Sequence, residues 1–192
     1  MVRNQLTRMP IDRVIVRWVL PCMLAFFGVS AYAEGPLSSS AIASSSVEPG
    51  LPLADSVIVH KARRTLELMR NGQVLRSYKI ALGLRPEGHK QFEGDFRTPE
   101  GKYMLTRRNP NSEYFLSIQV SYPNEQDVAR ARKMGQRPGC AIMIHGQPNT
   151  PRKPRDYYSN VDWTEGCIAV SNSDMVEIWL MTPLDTPIEI HQ

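Results

Sequence analysis

Of the three cysteines and four histidines in the chain, one of each stands where a side chain can act as nucleophile or base. Cys167 lies in Trp163-Thr164-Glu165-Gly166-Cys167-Ile168-Ala169-Val170. Gly166 lets the backbone take an unusual turn directly before the thiol, and the apolar run after it anchors the position. Such a turn displays a nucleophile beside a backbone N–H. His145 closes the apolar run Ala141-Ile142-Met143-Ile144 and is followed by the turning residue Gly146, 22 residues before Cys167. If the two runs are neighbouring strands, the Pro-, Arg- and Tyr-rich loop between them returns the chain so that imidazole meets thiol, and the imidazole can take the thiol proton. His60, His89 and His191 have no comparable neighbours. The same cysteine has a second reading: in an oxidising compartment Cys140 and Cys167 could close a structural disulfide. Cys140 leads into the apolar run, where a small buried thiol fits as core. Two cysteines and one placed histidine are too few for a structural zinc site, and no serine sits in a Gly-x-Ser-x-Gly turn.

These residues need a sheet to hold them. Ser56–His60, Thr65–Met69, Val74–Leu82, Gly101–Thr106, Tyr114–Tyr122, Ala141–His145 and Pro187–Ile190 read as strands from their β-branched or alternating patterns. Asn71-Gly72 is a hairpin signal because both residues tolerate positive φ. Two stretches read as helices: Asp127–Met134 after Pro123-Asn124, and Asp174–Met181 after Ser171-Asn172-Ser173, with Met175, Ile178 and Trp179 on one face. The expectation is a mainly β domain, a sandwich or partly open barrel with one or two short helices.

Three blocks carry a family resemblance. Gly94-Asp95-Phe96-Arg97-Thr98-Pro99-Glu100-Gly101, Ile144-His145-Gly146 and Thr164-Glu165-Gly166-Cys167-Ile168 resemble, in order and spacing, the conserved segments of the YkuD-like L,D-transpeptidase catalytic domain, a family of bacterial envelope enzymes. The resemblance implies a Cys nucleophile at Cys167 and a base at His145. It also implies an oxyanion site of backbone N–H groups around Gly166 and Cys167, with Gly146 and Thr164 as backbone support. The implied substrate is the peptidoglycan stem peptide, attacked between a diamino acid and D-alanine, with no metal or organic cofactor. Acceptors left open are a second stem, a lipoprotein lysine, a free D-amino acid or water. Many members carry Arg two residues after the nucleophile, where this chain has Ala169. Arg152, Lys153 and Arg155 are candidate replacements, and Trp163, Tyr157 and Tyr158 are candidate walls over the thiol. Rival readings are an L,D-carboxypeptidase or amidase on the same scaffold, and a silent wall-binding module with a Cys140–Cys167 disulfide.

Composition agrees with an exported domain. The 192 residues are 42% hydrophobic and 22% charged, ordinary for a globular protein. The net charge of +4 belongs mostly to the N-terminus, since the residues from Glu34 onward hold 19 basic and 18 acidic side chains. Nucleic-acid binding thereby loses its global support. Arg3 to Arg17, the apolar run Trp18–Val29 and Ser30-Ala31-Tyr32-Ala33 read in order as a secretory signal over 1–33. Residues 34–54, rich in Ser, Pro and Gly, read as a flexible tether, and 55–192 as the catalytic domain. A periplasmic or cell-wall location without stable membrane insertion of the mature chain is expected.

Overall fold

The computed structural model describes residues 50–139 and 141–192, which fall within the compact unit Val47–Gln192. The expected signal, most of the expected tether and Cys140 lie outside the described residues. Eight strands and three helices follow in the order β1 (Ser56–His60), β2 (Thr65–Arg70), β3 (Gln73–Lys79), β4 (Gly101–Ser112), β5 (Phe115–Val120), α1 (Glu125–Lys133), β6 (Met143–His145), α2 (Arg155–Asn160), β7 (Ile168–Ala169), α3 (Asn172–Met181) and β8 (Pro187–His191). The domain is mainly β.

The strands form one sheet in the order β3-β2-β1-β8-β4-β5-β6-β7. Pairing is antiparallel except at β1–β8 and β6–β7. The β2–β3 hairpin turns on Asn71 and Gly72, at φ 52° and 74°, the left-handed pair that matches the twist of the flanking strands. β4 is the hinge of the sheet. Gly101–Met104 pair with β8, whereas Leu105–Ser112 pair with β5. Past β3 the chain leaves its hairpin, and Ala81 bridges Ala169 of β7. A second bridge joins Gly83 to Thr164, so the two ends of the curled sheet meet at isolated bridges without closing.

Alternation fills the core. Val57 and Val59 of β1, Leu66 and Leu68 of β2, Ile118 and Val120 of β5, and Ile188 and Ile190 of β8 are all buried in one cluster. Each such side chain contributes roughly 1.5–3 kcal/mol. α3 closes that core with Met175, Ile178 and Met181, and its N-cap Ser171 accepts the Asp174 N–H at 3.1 Å.

β3 ends at Lys79 rather than Leu82, β5 and α1 shift by one or two residues at their ends, and three elements depart further from the sequence pattern. α2 forms in the stretch expected as loop; its N-cap Pro154 supplies no side-chain hydrogen bond, and the segment is held by its buried Tyr158. β4 extends to Ser112 through polar residues because β5 supplies their hydrogen-bond partners. β6 is shorter than the apolar run suggests, since Ala141 has φ 60°, outside any strand conformation.

Candidate active site

The turn at Cys167 is closed by its own threonine. Thr164 is fixed in the sheet by its N–H to Leu82 O (3.0 Å) and by its carbonyl, which accepts from Leu84 N (3.0 Å). Its buried hydroxyl donates to the Cys167 carbonyl at 2.7 Å and accepts the Gly166 N–H at 3.1 Å. Gly166 has φ 129°, and a Cβ there would meet Arg97 O at 2.6 Å. Glycine is therefore required by both conformation and space. The floor under this turn is the segment Gly94–Gly101, locked by buried Asp95. Its carboxylate takes Lys90 Nζ at 2.7 Å and the backbone N–H groups of Gln91 (2.6 Å) and Arg97 (3.1 Å). Burial pushes the Asp95 carboxyl up, but the Lys90 ammonium and the backbone donors prevail and hold it below the usual range. Cys167 Sγ lies 3.6 Å from Ala141 O, and among the described residues it forms no disulfide.

His145 is placed by β6, which pairs it with Ser117 of β5 and Ala169 of β7. The parallel β6–β7 pair is what brings the end of one run beside the beginning of the other. His145 Nδ1 lies 2.7 Å from Gly146 O. A carbonyl only accepts, so Nδ1 carries the proton and Nε2 keeps its lone pair. Gly146 is itself wedged. Its N–H reaches Tyr114 O (3.0 Å) and Leu116 O (3.2 Å), and a Cβ would come within 2.6 Å of Asn172 Oδ1. The same Asn172 oxygen accepts the Gln147 N–H at 2.7 Å. The start of α3 thus holds the carbonyl that orients the imidazole.

Both groups are driven toward their neutral forms. Burial lowers the His145 imidazole from 6.5 to about 4, opposed by its bond to Gly146. Burial raises the Cys167 thiol, opposed by the Met143 N–H and the Lys90 charge and reinforced by Glu165.

Cys167 and His145 line one cleft of about 490 Å³ with Ser117, Trp163, Thr164, Glu165 and the β4–β5 hairpin residues Asn109, Asn111, Ser112, Glu113 and Tyr114. Tyr114 leans on the imidazole, ring centroids 4.7 Å apart, and Trp163 meets it edge-on at 5.6 Å. Tyr158 backs Trp163 at 5.1 Å and accepts the Trp163 Nε1–H on its carbonyl at 3.2 Å. Beyond the Tyr114–Trp163 wall lies a second cavity of about 790 Å³, which Arg152 and Tyr158 help to line.

Of the residues singled out in the sequence, Cys167, His145, Thr164 and Trp163 face the cleft, while Gly166 and Gly146 shape its backbone. Tyr158 belongs to the second cavity. Arg155 lines neither: it is the exposed first residue of α2, and the loop cation at a cavity wall is Arg152. The contribution of Tyr114, Ser117 and the β4–β5 hairpin was not visible in residue types, since the β5–β6 register alone carries these residues to His145. Among the described residues, no group of three or more His, Cys, Asp or Glu could hold a metal ion, and no helix is long and apolar enough to cross a membrane.

The chain and its fold have known relatives. The chain is 35% identical over 127 residues to an Escherichia coli K12 protein provisionally named L,D-transpeptidase YafK, covering 63% of this chain and 44% of that one. The helical cell shape determining protein Pgp2 from Campylobacter jejuni superposes with a TM-score of 0.53 at 26% identity, covering 73% of this chain and 50% of that one. Bd1075 of Bdellovibrio bacteriovorus gives 0.50 at 26% identity, over 73% and 51%. The chain thus spans about half the length of these relatives. Residues 54–190 match the family described as the YkuD L,D-transpeptidase catalytic domain. With the curled sheet and the Gly166-Cys167 turn in place, the chain belongs to the YkuD family of L,D-transpeptidase catalytic domains.

Proposed function

We propose that the domain is a peptidoglycan L,D-transpeptidase in which Cys167 is the nucleophile and His145 the base. The observation that carries the reading is the pair itself. Cys167 and His145 line one cleft, and the Gly146 carbonyl takes the Nδ1–H so that Nε2 is the basic nitrogen. Family membership supports the reaction class. The substrate is a stem peptide cut between a diamino acid and D-alanine, in the periplasm or cell wall.

Because burial disfavours both charged forms, the resting pair is thiol and neutral imidazole. The proton leaves Sγ for Nε2 as sulfur attacks the scissile carbonyl, a general-base step worth about 10²–10⁴ in rate. The Cys167 N–H stabilises the oxyanion, while the Gly166 N–H stays on Thr164 Oγ1 and stiffens the turn. The C–N bond breaks, His145 returns the proton to the departing D-alanine amine, and a thioester remains. An amine of a second stem then attacks the thioester, and its proton passes through His145 to the leaving Sγ. No external energy source is needed, since the thioester retains the energy of the old amide.

Mass spectrometry of the purified chain incubated with disaccharide-tetrapeptide, beside Cys167→Ala, tests this. Cross-linked dimers with loss of D-alanine, absent from the variant, are expected. Trimmed monomers alone would reassign the domain to hydrolysis. Full turnover by Cys167→Ala would remove the nucleophile.

A further inference from the structure

Lys61 directly follows β1, lies outside every motif that points to the chemistry, and is fully buried. Its Nζ donates to Gly88 O at 2.6 Å, to Thr98 O at 3.2 Å and to the Glu100 carboxylate at 2.7 Å, so all three ammonium protons are used. Its backbone is fixed as well. The Lys61 N–H donates to His191 O of β8 at 2.9 Å, and the Lys61 carbonyl accepts the Arg64 N–H at 3.1 Å. Taking an ammonium out of water is costly, and apolar residues in place of a buried ion pair are often neutral or stabilising. Stability alone therefore gives little reason for a lysine here. The position of its acceptors supplies one.

Two of those acceptors belong to the floor under the catalytic turn. The floor is pinned by a buried lysine at each end, Lys90 through Asp95 at the start and Lys61 through Thr98 O and Glu100 at the finish. Between the pins Phe96 has φ 58°, a left-handed conformation that a non-glycine residue keeps only where its surroundings impose it. The carbonyls of Phe96 and Arg97 face glycines. A Cβ at Gly83 would stand 2.1 Å from Phe96 O, and one at Gly166 would stand 2.6 Å from Arg97 O. Backbone meets backbone there, with no side chain between to absorb a shift. A displacement of the floor therefore passes to Gly166, and from it to the Cys167 N–H and Sγ.

We infer that Lys61 is a positioning residue for the Cys167 turn. Its ammonium fixes the Thr98 carbonyl, and the Arg97–Gly166 contact carries that constraint to the nucleophile and its backbone N–H, holding them in place toward His145. The inference rests on the transpeptidase reading for its turnover readout alone; the thiol readout stands without it.

Two full-chain variants test it. Lys61→Met keeps the length of the side chain, removes the three donors and leaves the Glu100 carboxylate without its partner. Lys61→Met/Glu100→Gln removes the charge of that carboxylate too. The first variant should lose thermal stability, and the second should recover part of it. Position is recovered in neither, because Thr98 O lacks its donor in both. With disaccharide-tetrapeptide as substrate, kcat should fall ~10²-fold in both variants while KM stays within ~3-fold of wild type. Alkylation of Cys167 by iodoacetamide, resolved from Cys140 by peptide mass mapping, should slow ~10-fold in both. Circular dichroism reports the fold, and if Lys61→Met does not fold the double variant decides. A kcat or an alkylation rate that recovers in step with stability overturns the inference and leaves Lys61 a partner of Glu100 alone. A raised KM at unchanged kcat overturns it too, as does failure of both variants to fold. Absence of cross-linking by the wild type would refute the transpeptidase reading, and the alkylation rates would still decide the role of Lys61.

Discussion

Replacing His145 by Gln tests the electrostatics of the site through stability, independently of turnover. His145 is buried, and its imidazole is pushed from 6.5 to about 4. The unfolded chain therefore takes up a proton more readily than the folded one. The sign follows: the His145 contribution is complete above about pH 6.5 and is lost as pH falls toward 4. With these two values the loss is about 2 kcal/mol at pH 5 and about 3 kcal/mol at pH 4. Gln is neutral throughout and retains an N–H for the Gly146 carbonyl, so His145→Gln lacks this dependence. Urea unfolding of both proteins at about pH 7.5 and pH 5 gives the difference of differences, in which any constant packing offset cancels. The gap between wild type and variant should shift by about 2 kcal/mol in favour of the variant on acidification. Parallel curves, with an unchanged gap, would refute burial as the cause and leave the neutral resting pair without its basis. The same neutrality predicts that kcat/KM stays flat from about pH 8 down to about pH 5, and a fall centred near 6.5 would contradict it.

Two further substitutions probe the scaffold. Thr164→Val keeps the volume and removes the hydroxyl that serves Gly166 N and Cys167 O. Thermal or urea unfolding should show a loss of about 2–4 kcal/mol, and kcat should fall more than KM rises; an unchanged kcat would free the turn from this clip. Gly146→Ala puts a Cβ 2.6 Å from Asn172 Oδ1 and 3.0 Å from Phe115 Cβ. A cost of about 1–3 kcal/mol is expected, together with slower alkylation of Cys167 by iodoacetamide as the imidazole loses its carbonyl partner. Wild-type stability and thiol reactivity in this variant would show that the loop yields without strain.

The strands were legible where alternation and turn chemistry agree. β1, β2 and the Asn71-Gly72 hairpin read directly because each buried position recurs every second residue. α3 was readable from Ser171 and from the spacing of Met175 and Ile178, since capping and periodicity point the same way there. α2 carried no such signal: no side chain caps it, and it exists because Tyr158 packs behind Trp163. Arg155 and Arg152 were indistinguishable as loop cations in one dimension. The path of the loop past Tyr158 separates them, leaving the first in solvent and the second at a cavity wall.

Residue chemistry by itself determined that this is a mainly β domain with a displayed Gly166-Cys167 turn and a histidine at a strand end, because those properties are written in local spacing. Pairing across the sheet decided everything that depends on distant contacts. The β6–β7 pair brings His145 beside the Cys167 turn, and the β5–β6 register adds Ser117 and Tyr114. Asn172, 27 residues after His145, holds the loop whose Gly146 carbonyl selects the imidazole tautomer. The physical reason is that burial and hydrogen bonding in three dimensions assign the protons, whereas spacing along the chain specifies only which groups are present.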